Sequence, residues 1–171
     1  MATFGASDAG RSIPAVRGAV RRIAGEVGPV LLVRLGRAPE PLDDLGDDVR
    51  VVVPGPSSGH GIASLLATAD LFLAPYADGV TTRRTTLIAA LQHGVPVVGT
   101  DVGRSDEVLV RSPAIARAPL EAEGFAAVAA KVAADRGRLE AMSGVARSLY
   151  CDEFAWDVLA ARYAALLYED R

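Results

Sequence analysis

Leu71-Phe72-Leu73-Ala74-Pro75-Tyr76-Ala77-Asp78-Gly79-Val80-Thr81-Thr82-Arg83-Arg84-Thr85-Thr86-Leu87, continued by Ile88 to Gly99, runs from a short apolar stretch through a turn into a helical pattern and back to an apolar stretch. Leu71 to Ala74 is of strand length and apolar throughout, as a strand buried on both faces must be. Asp78-Gly79 marks a turn, and Thr81 or Thr82 offers a cap for a helix over Thr82 to His93. Leu87, Ile88 and Leu91 share the face that such a helix lays on a sheet. Gly94 ends it, and Val95 to Gly99 is the next strand. A strand, a helix and a second strand in this spacing form a parallel crossover unit.

The same rhythm extends in both directions. Upstream, Ala2 to Gly5 reads as a first strand, and Ile13, Val16, Val20, Ile23 and Val27 repeat at helical spacing. Val30 to Leu35, apolar but for Arg34, is a run bounded by Gly28-Pro29 and Gly36, and Val49 to Val53 follows a polar loop over Ala38 to Asp48. Pro54 to Gly59 reads as irregular, because its prolines and glycines disfavour a regular element, and Ile62 to Thr68 reads as a helix. Downstream come a short helix near Ser105 to Val110, a strand at Ala114 to Ala118, and three helices over Glu121 to Ala134, Arg138 to Tyr150 and Phe154 to Tyr168. The expected fold class is α/β, a single Rossmann-like domain with a doubly wound parallel sheet. Six strands in the order 3-2-1-4-5-6 should carry helices on both faces. The first strand starts at Ala2, so no element is expected ahead of it.

The 171 residues suffice for one core of ordinary size. No apolar stretch reaches the roughly 20 residues that cross a bilayer, and Met1 to Arg11 lacks the basic start and apolar run of a secretory signal. No transmembrane segment and a cytoplasmic location are expected. A net charge of −3 supplies no basic field for nucleic acid, so none is expected as a partner. The single cysteine, Cys151, has no partner for a disulfide and no neighbouring histidine, and is read as structural filler.

Ligands of an open parallel sheet bind beyond the carboxyl ends of its strands, which directs attention to three loops. Gly5 to Arg11 follows the first strand but lacks the dinucleotide glycine fingerprint. Pro54 to Gly61 brings bare backbone near a position where a flat base could lie; His60 in it reads as a solvated loop residue. His93, at the end of its helix, suits the negative end of the dipole. The third loop, Pro75 to Leu87, is the most telling, because Arg83 and Arg84 would fall in the first turn of a helix, where the macrodipole disfavours cations. A bound phosphate would compensate them, using free N–H groups and guanidinium forks together. The other reading ties both arginines to Asp78 or another surface carboxylate.

Several landmarks in order resemble the C-terminal domain of family 4 glycosyltransferases, over nearly the whole chain. They are Leu65 to Pro75, Ala89 to Asp101, Gly103-Arg104-Ser105-Asp106-Glu107-Val108 and Phe154-Ala155-Trp156. The resemblance implies the C-terminal half of a GT-B fold: a donor-binding domain for a nucleotide-diphosphate sugar, working with a separate N-terminal acceptor-binding domain. It further implies transfer with retention, with neither cofactor nor metal. Carried onto this sequence, Thr81, Thr82, Arg83, Arg84, Thr85 and Arg11 would bind the donor diphosphate. Asp78, Gly79 and Val80 would face the sugar, and Pro54, Gly55 and Ala89 the nucleoside; no catalytic residue is assigned. One departure is marked: the family's ribose-binding glutamate falls on Ala89, and its sugar-binding glutamate falls on Asp78 or Thr81. The alternative to a transferase half is a stand-alone Rossmann-like nucleotide-binding module. The final helix is expected to carry Leu159, Tyr163, Leu166 and Leu167 on one apolar stripe, turned either to a missing half or to its own domain.

Overall fold

The computed structural model describes residues 10–35 and 42–168, and the backbone of 2–4. Among the described residues, six strands and seven helices follow in the order β1 (Ala2–Phe4), α1 (Ile13–Glu26), β2 (Val30–Leu35), β3 (Val49–Val52), α2 (Gly59–Ala67), β4 (Phe72–Ala74), α3 (Thr85–Gln92), β5 (Val97–Thr100), α4 (Glu107–Val110), β6 (Ile115–Ala118), α5 (Ala122–Ala133), α6 (Arg136–Glu153) and α7 (Trp156–Tyr168). All sheet pairings are parallel, in the order β3-β2-β1-β4-β5-β6. The architecture matches the expected α/β single domain. The chain fills one side of the sheet from β1 outward to β3, then returns past β1 to fill the other. The switch in direction falls between β1 and β4, the place beyond whose carboxyl ends an open parallel sheet of this order takes its ligands.

Both faces of the sheet are covered because the central strands are apolar on both sides. Leu32, Leu71, Leu73 and Val98 pack with Val16, Val20 and Ile23 of α1 and Phe125 and Ala129 of α5. Phe72, Ala74 and Val97 pack on the opposite face with Leu66 of α2, Leu87 and Leu91 of α3 and Leu109 of α4. Helix α6 serves both clusters, with Leu139 and Met142 in the first and Ala146 in the second. Four helices start where a side chain accepts an orphan N–H: Ser12 from Ala15, Ser58 from Gly61, Glu121 from Gly124 and Asp135 from Arg138. Gly18 allows α1 to lie close on α5, since a Cβ there would stand 3.4 Å from the Ala122 carbonyl oxygen.

Three boundaries depart from the sequence reading. Helix α2 begins at Gly59, inside the tract read as irregular, because Ser58 caps it; His60 is therefore an exposed helical residue rather than a loop one. Helix α3 begins at Thr85, three residues later than expected, with Arg84 at the N-cap and neither Thr81 nor Thr82 capping. Helix α6 runs two residues earlier and three later than expected and leaves Cys151 exposed, so the cysteine fills no core. The expected first-loop segment before Gly10 lies outside the described residues.

Helix α7 buries none of its residues. Tyr163, Leu166 and Leu167 are 67%, 70% and 73% exposed, so this stripe does not pack on its own domain; Leu159 is half-buried. The helix is nonetheless tied at its base, where Arg162 donates to the Glu153 carboxylate at 2.8 Å and to the Asp152 and Glu153 carbonyls at 3.3 Å.

Candidate binding site at the switch point

Residues 10–12 and 75–77, on the two sides of the switch point, are stitched together. Ser12 N–H donates to the Pro75 carbonyl at 2.8 Å, Ala77 N–H donates to the Gly10 carbonyl at 2.8 Å, and Arg11 pairs with Tyr76 in an isolated antiparallel bridge. Gly10 makes the turn with φ +76°, a value side chains rarely adopt. This latch brings Arg11, from the loop after β1, against Tyr76, from the loop after β4. The Arg11 guanidinium lies 5.3 Å from the Tyr76 ring centroid and donates to its hydroxyl at 3.3 Å. Arg84 also lies over that ring, at 4.4 Å, and forms a short ion pair with Asp78. The Tyr76 hydroxyl meets Thr86 Oγ1 at 3.2 Å.

Of the diphosphate-binding candidates, the structure brings Arg11 and Arg84 together with Asp78, and separates the others. Arg83 is exposed on the turn before α3. Thr81 is only 1% exposed. Thr82 gives both its N–H and its hydroxyl to Asp106 Oδ2, at 2.6 and 2.8 Å. The Arg84 N–H bonds the Thr81 carbonyl at 3.0 Å and the Thr85 N–H the Arg83 carbonyl at 3.1 Å. The expected cradle of open N–H groups from Thr81 to Thr85 is thus largely used internally, because the tight turn before α3 consumes them. The ion pair of Arg84 with Asp78 follows the carboxylate reading, but its place is the switch point, not a remote surface.

The sugar-facing candidates divide in the same way. Asp78 is one-third exposed beside Arg84. Gly79 has φ +89°, and a Cβ on it would collide with the Ser105 side chain and stand 3.1 Å from the Val102 carbonyl oxygen. Val80 is fully buried, and it packs where a side chain on Gly99 would otherwise sit. Its N–H bonds the Thr100 carbonyl and its carbonyl accepts from Asp106, which leaves it a core residue with no surface for a ligand. Gly55 makes a turn with φ +74° beside exposed Pro54, in the loop after β3. That strand is three sheet positions from β4, about 14 Å along the sheet edge at the usual strand spacing. Ala89 is half-buried in α3 and presents a methyl group where the resembled family has a carboxylate.

Four residues of the site went unassigned from sequence: Tyr76, Thr86, Thr100 and Asp106. Thr100 is fully buried and holds the loop after β4 by donating to the Tyr76 carbonyl at 2.5 Å. Asp106 anchors the turn before α3 from the opposite loop. Its two bonds from Thr82, with the charge of Arg83 nearby, hold its carboxyl below the ordinary value of 3.8 despite partial burial. Its position in the Gly103 to Val108 turn is the signal the sequence offers for it; the neighbouring Glu107 is exposed and paired with Arg111 on the same helix.

Grooves lie at the opposite, amino end of the sheet, among them one of about 380 Å³ beside Pro29, Val30 and Asp48. A larger one of about 540 Å³ runs between Ile23, Val30, Leu71 and Leu139, with Asp70 and Arg136 at its rim. Another of about 220 Å³ adjoins it beside His93 and Glu140. Their charged groups are exposed, the Asp70–Arg136 pair being 3.7 Å apart. The amino end lies away from the loops that lead from strand into helix, and the switch point between β1 and β4 remains the better-founded site. Among the described residues, no helix is long and apolar enough to cross a membrane.

Comparison with solved structures finds the same fold in several glycosyltransferases. Sucrose-phosphate synthase from Thermosynechococcus elongatus superposes with a TM-score of 0.73 at 20% identity, over 98% of this chain and 44% of that one. WaaG, a glycosyltransferase involved in lipopolysaccharide biosynthesis, gives 0.66 at 20% identity, over 98% and 46%. A glycosyltransferase from Rickettsia africae gives 0.68 at 13% identity, over 98% and 47%. The chain therefore spans less than half the length of these proteins, and its fold is one half of the GT-B architecture. No curated protein sequence matches the chain. The sequence model of the family described as glycosyl transferases group 1 matches residues 11–135, well over half of the chain and the whole of the switch-point cluster, and the chain belongs to that family.

Proposed function

We propose that this domain binds the nucleotide-diphosphate-sugar donor of a glycosyltransferase, as the donor half of a two-domain enzyme whose acceptor is held by a separate N-terminal domain. The observation that carries this reading is the convergence of Arg11 and Arg84 at the switch point between β1 and β4, from loops far apart in sequence. Arginine keeps its charge at every relevant pH and presents a fork matched to two phosphate oxygens. The Asp78 carboxylate already occupies one such fork, so an anionic oxygen fits there. When the sugar leaves its nucleoside diphosphate, negative charge grows on the departing phosphates while the sugar carbon becomes positive. Guanidinium groups fixed beside those phosphates lower the barrier by stabilising the charge as it develops. The nucleoside would extend along the sheet edge toward Pro54 and Gly55. Transfer with retention, in the absence of a metal, is the chemistry that the family resemblance implies.

The exposed stripe of α7 fits the same reading, as a surface for the acceptor half. The chain by itself would then bind donor without transferring sugar to an acceptor. The test is Arg84→Ala, with Arg83→Ala beside it. Loss of the Arg84 charge-assisted contact, worth about 1.5–3 kcal/mol, should weaken nucleoside diphosphate binding about ten- to a hundredfold. Nucleoside binding should be unchanged, and Arg83→Ala should bind nearly as the parent does. An Arg84→Ala variant with the parent's affinity for UDP, GDP and ADP would remove the basis of the assignment.

A further inference from the structure

Tyr76 stands between Arg11 and Arg84 at the switch point, and its packing and hydrogen bonds fix it. Its ring is 2% exposed and belongs to the cluster under α3. Its N–H bonds the Ala74 carbonyl at 2.9 Å, its own carbonyl accepts from Thr100, and its hydroxyl lies 3.2 Å from Thr86 Oγ1. The two guanidinium groups of the site rest on this fixed surface, at 5.3 and 4.4 Å from the ring centroid. Both distances fall within the range where the negative face of an aromatic ring attracts a cation.

An arginine that is free to rotate loses much of its rotamer freedom when it grips an anion. If the ring restrains it beforehand, that loss belongs to folding and no longer weakens binding. Two like charges brought to one site also repel each other, and a ring in contact with both offsets part of the repulsion. The ring supplies these effects with no charge of its own, so it does not compete with the guanidinium groups for phosphate, as a second carboxylate would.

We propose that Tyr76 is a positioning residue of the anion site: its ring holds Arg11 and Arg84 ready for a diphosphate, and its hydroxyl sets the orientation of Arg11. This rests on the donor-binding reading above. The ring is the principal element and the hydroxyl the secondary one.

The test compares the parent chain with Tyr76→Phe and Tyr76→Leu. In the absence of ligand, the side-chain N–H signals of Arg11 and Arg84 in the parent should be displaced upfield by the ring. Tyr76→Phe should keep the Arg84 displacement and alter Arg11, and Tyr76→Leu should abolish both. Affinity for UDP, GDP or ADP should fall by less than about threefold in Tyr76→Phe and roughly three- to thirtyfold in Tyr76→Leu. Affinity for the matching nucleoside should stay the same in both, which a general loosening of the fold would not allow. Undisplaced arginine signals in the parent overturn the proposal whether or not Tyr76→Leu folds. Equal losses for nucleoside and diphosphate, or no loss in a folded Tyr76→Leu, overturn it too. A parent that shows the displaced signals yet binds no nucleoside diphosphate instead overturns the donor-binding reading, and the two failures are thereby distinguished.

Discussion

Replacing Asp106 by alanine probes the turn that presents Arg84. The Asp106 carboxylate accepts the N–H and hydroxyl of Thr82 at 2.6 and 2.8 Å and so ties the loop after β5 to the turn before α3. Bonds to a charged acceptor are worth about 1.5–3 kcal/mol each when sheltered. Here the groups face solvent, and water replaces much of what is lost, so the two together should contribute about 1–2 kcal/mol. For a domain of this size that corresponds to a fall in Tm of about 2–8 °C. The pH dependence has a definite sign. The folded-state carboxyl titrates below its ordinary value of 3.8, so its contribution is fully present above the ordinary range and is lost as pH falls through the lower folded value. Urea unfolding of parent and Asp106→Ala at a series of pH values checks this. The gap between them should be constant from neutral pH to about pH 5 and should shrink below about pH 4. Equal stabilities at pH 7, or a gap that widens as acid is added, would refute the reasoning.

Other outcomes follow from the same geometry. Gly79→Ala forces a side chain into a left-handed turn and against Ser105; it should cost about 2–5 kcal/mol, measured by chemical denaturation. Gly99→Ala drives a methyl group into Val80 and should cost about 1–3 kcal/mol, with a repacked loop visible as shifted signals from Val80 to Thr82. Trp156, the only tryptophan and 82% exposed, should show the red emission of a hydrated indole and ready quenching by iodide. A blue, protected emission from the isolated chain would show that α7 packs differently.

Much of the fold was legible because it rests on local patterns. The runs at Val30 to Leu35 (apolar but for Arg34), Leu71 to Ala74 and Val95 to Gly99 have no plausible place except inside a parallel sheet. Helix starts were less legible where a side chain decided them. Ser58 opens α2 from within a tract rich in glycine and proline, against the local propensity. Thr82, one of the two threonines expected as a cap for α3, instead gives its polar groups to Asp106, 24 residues away, and α3 starts later. The site was only half legible for the same reason. Arg11 and Arg84 stand out as cations in loops at strand ends, whereas Tyr76 acquires its place only when residues 10–12 pair with 75–77. Val80 looked like a loop residue because nothing nearby shows that Gly99 has left a space for it.

The most direct test of the donor-binding reading is a thermal-shift comparison of the purified chain with UDP, GDP and ADP against the corresponding nucleosides. A ligand at a hundredfold its Kd stabilises the folded state by about 2.7 kcal/mol, or about 5–10 °C in Tm for a domain of this size. One of the three diphosphates should produce such a shift, and its nucleoside at the same concentration a much smaller one. If no diphosphate raises Tm, or if the nucleosides raise it equally, Arg11 and Arg84 do not form a diphosphate site.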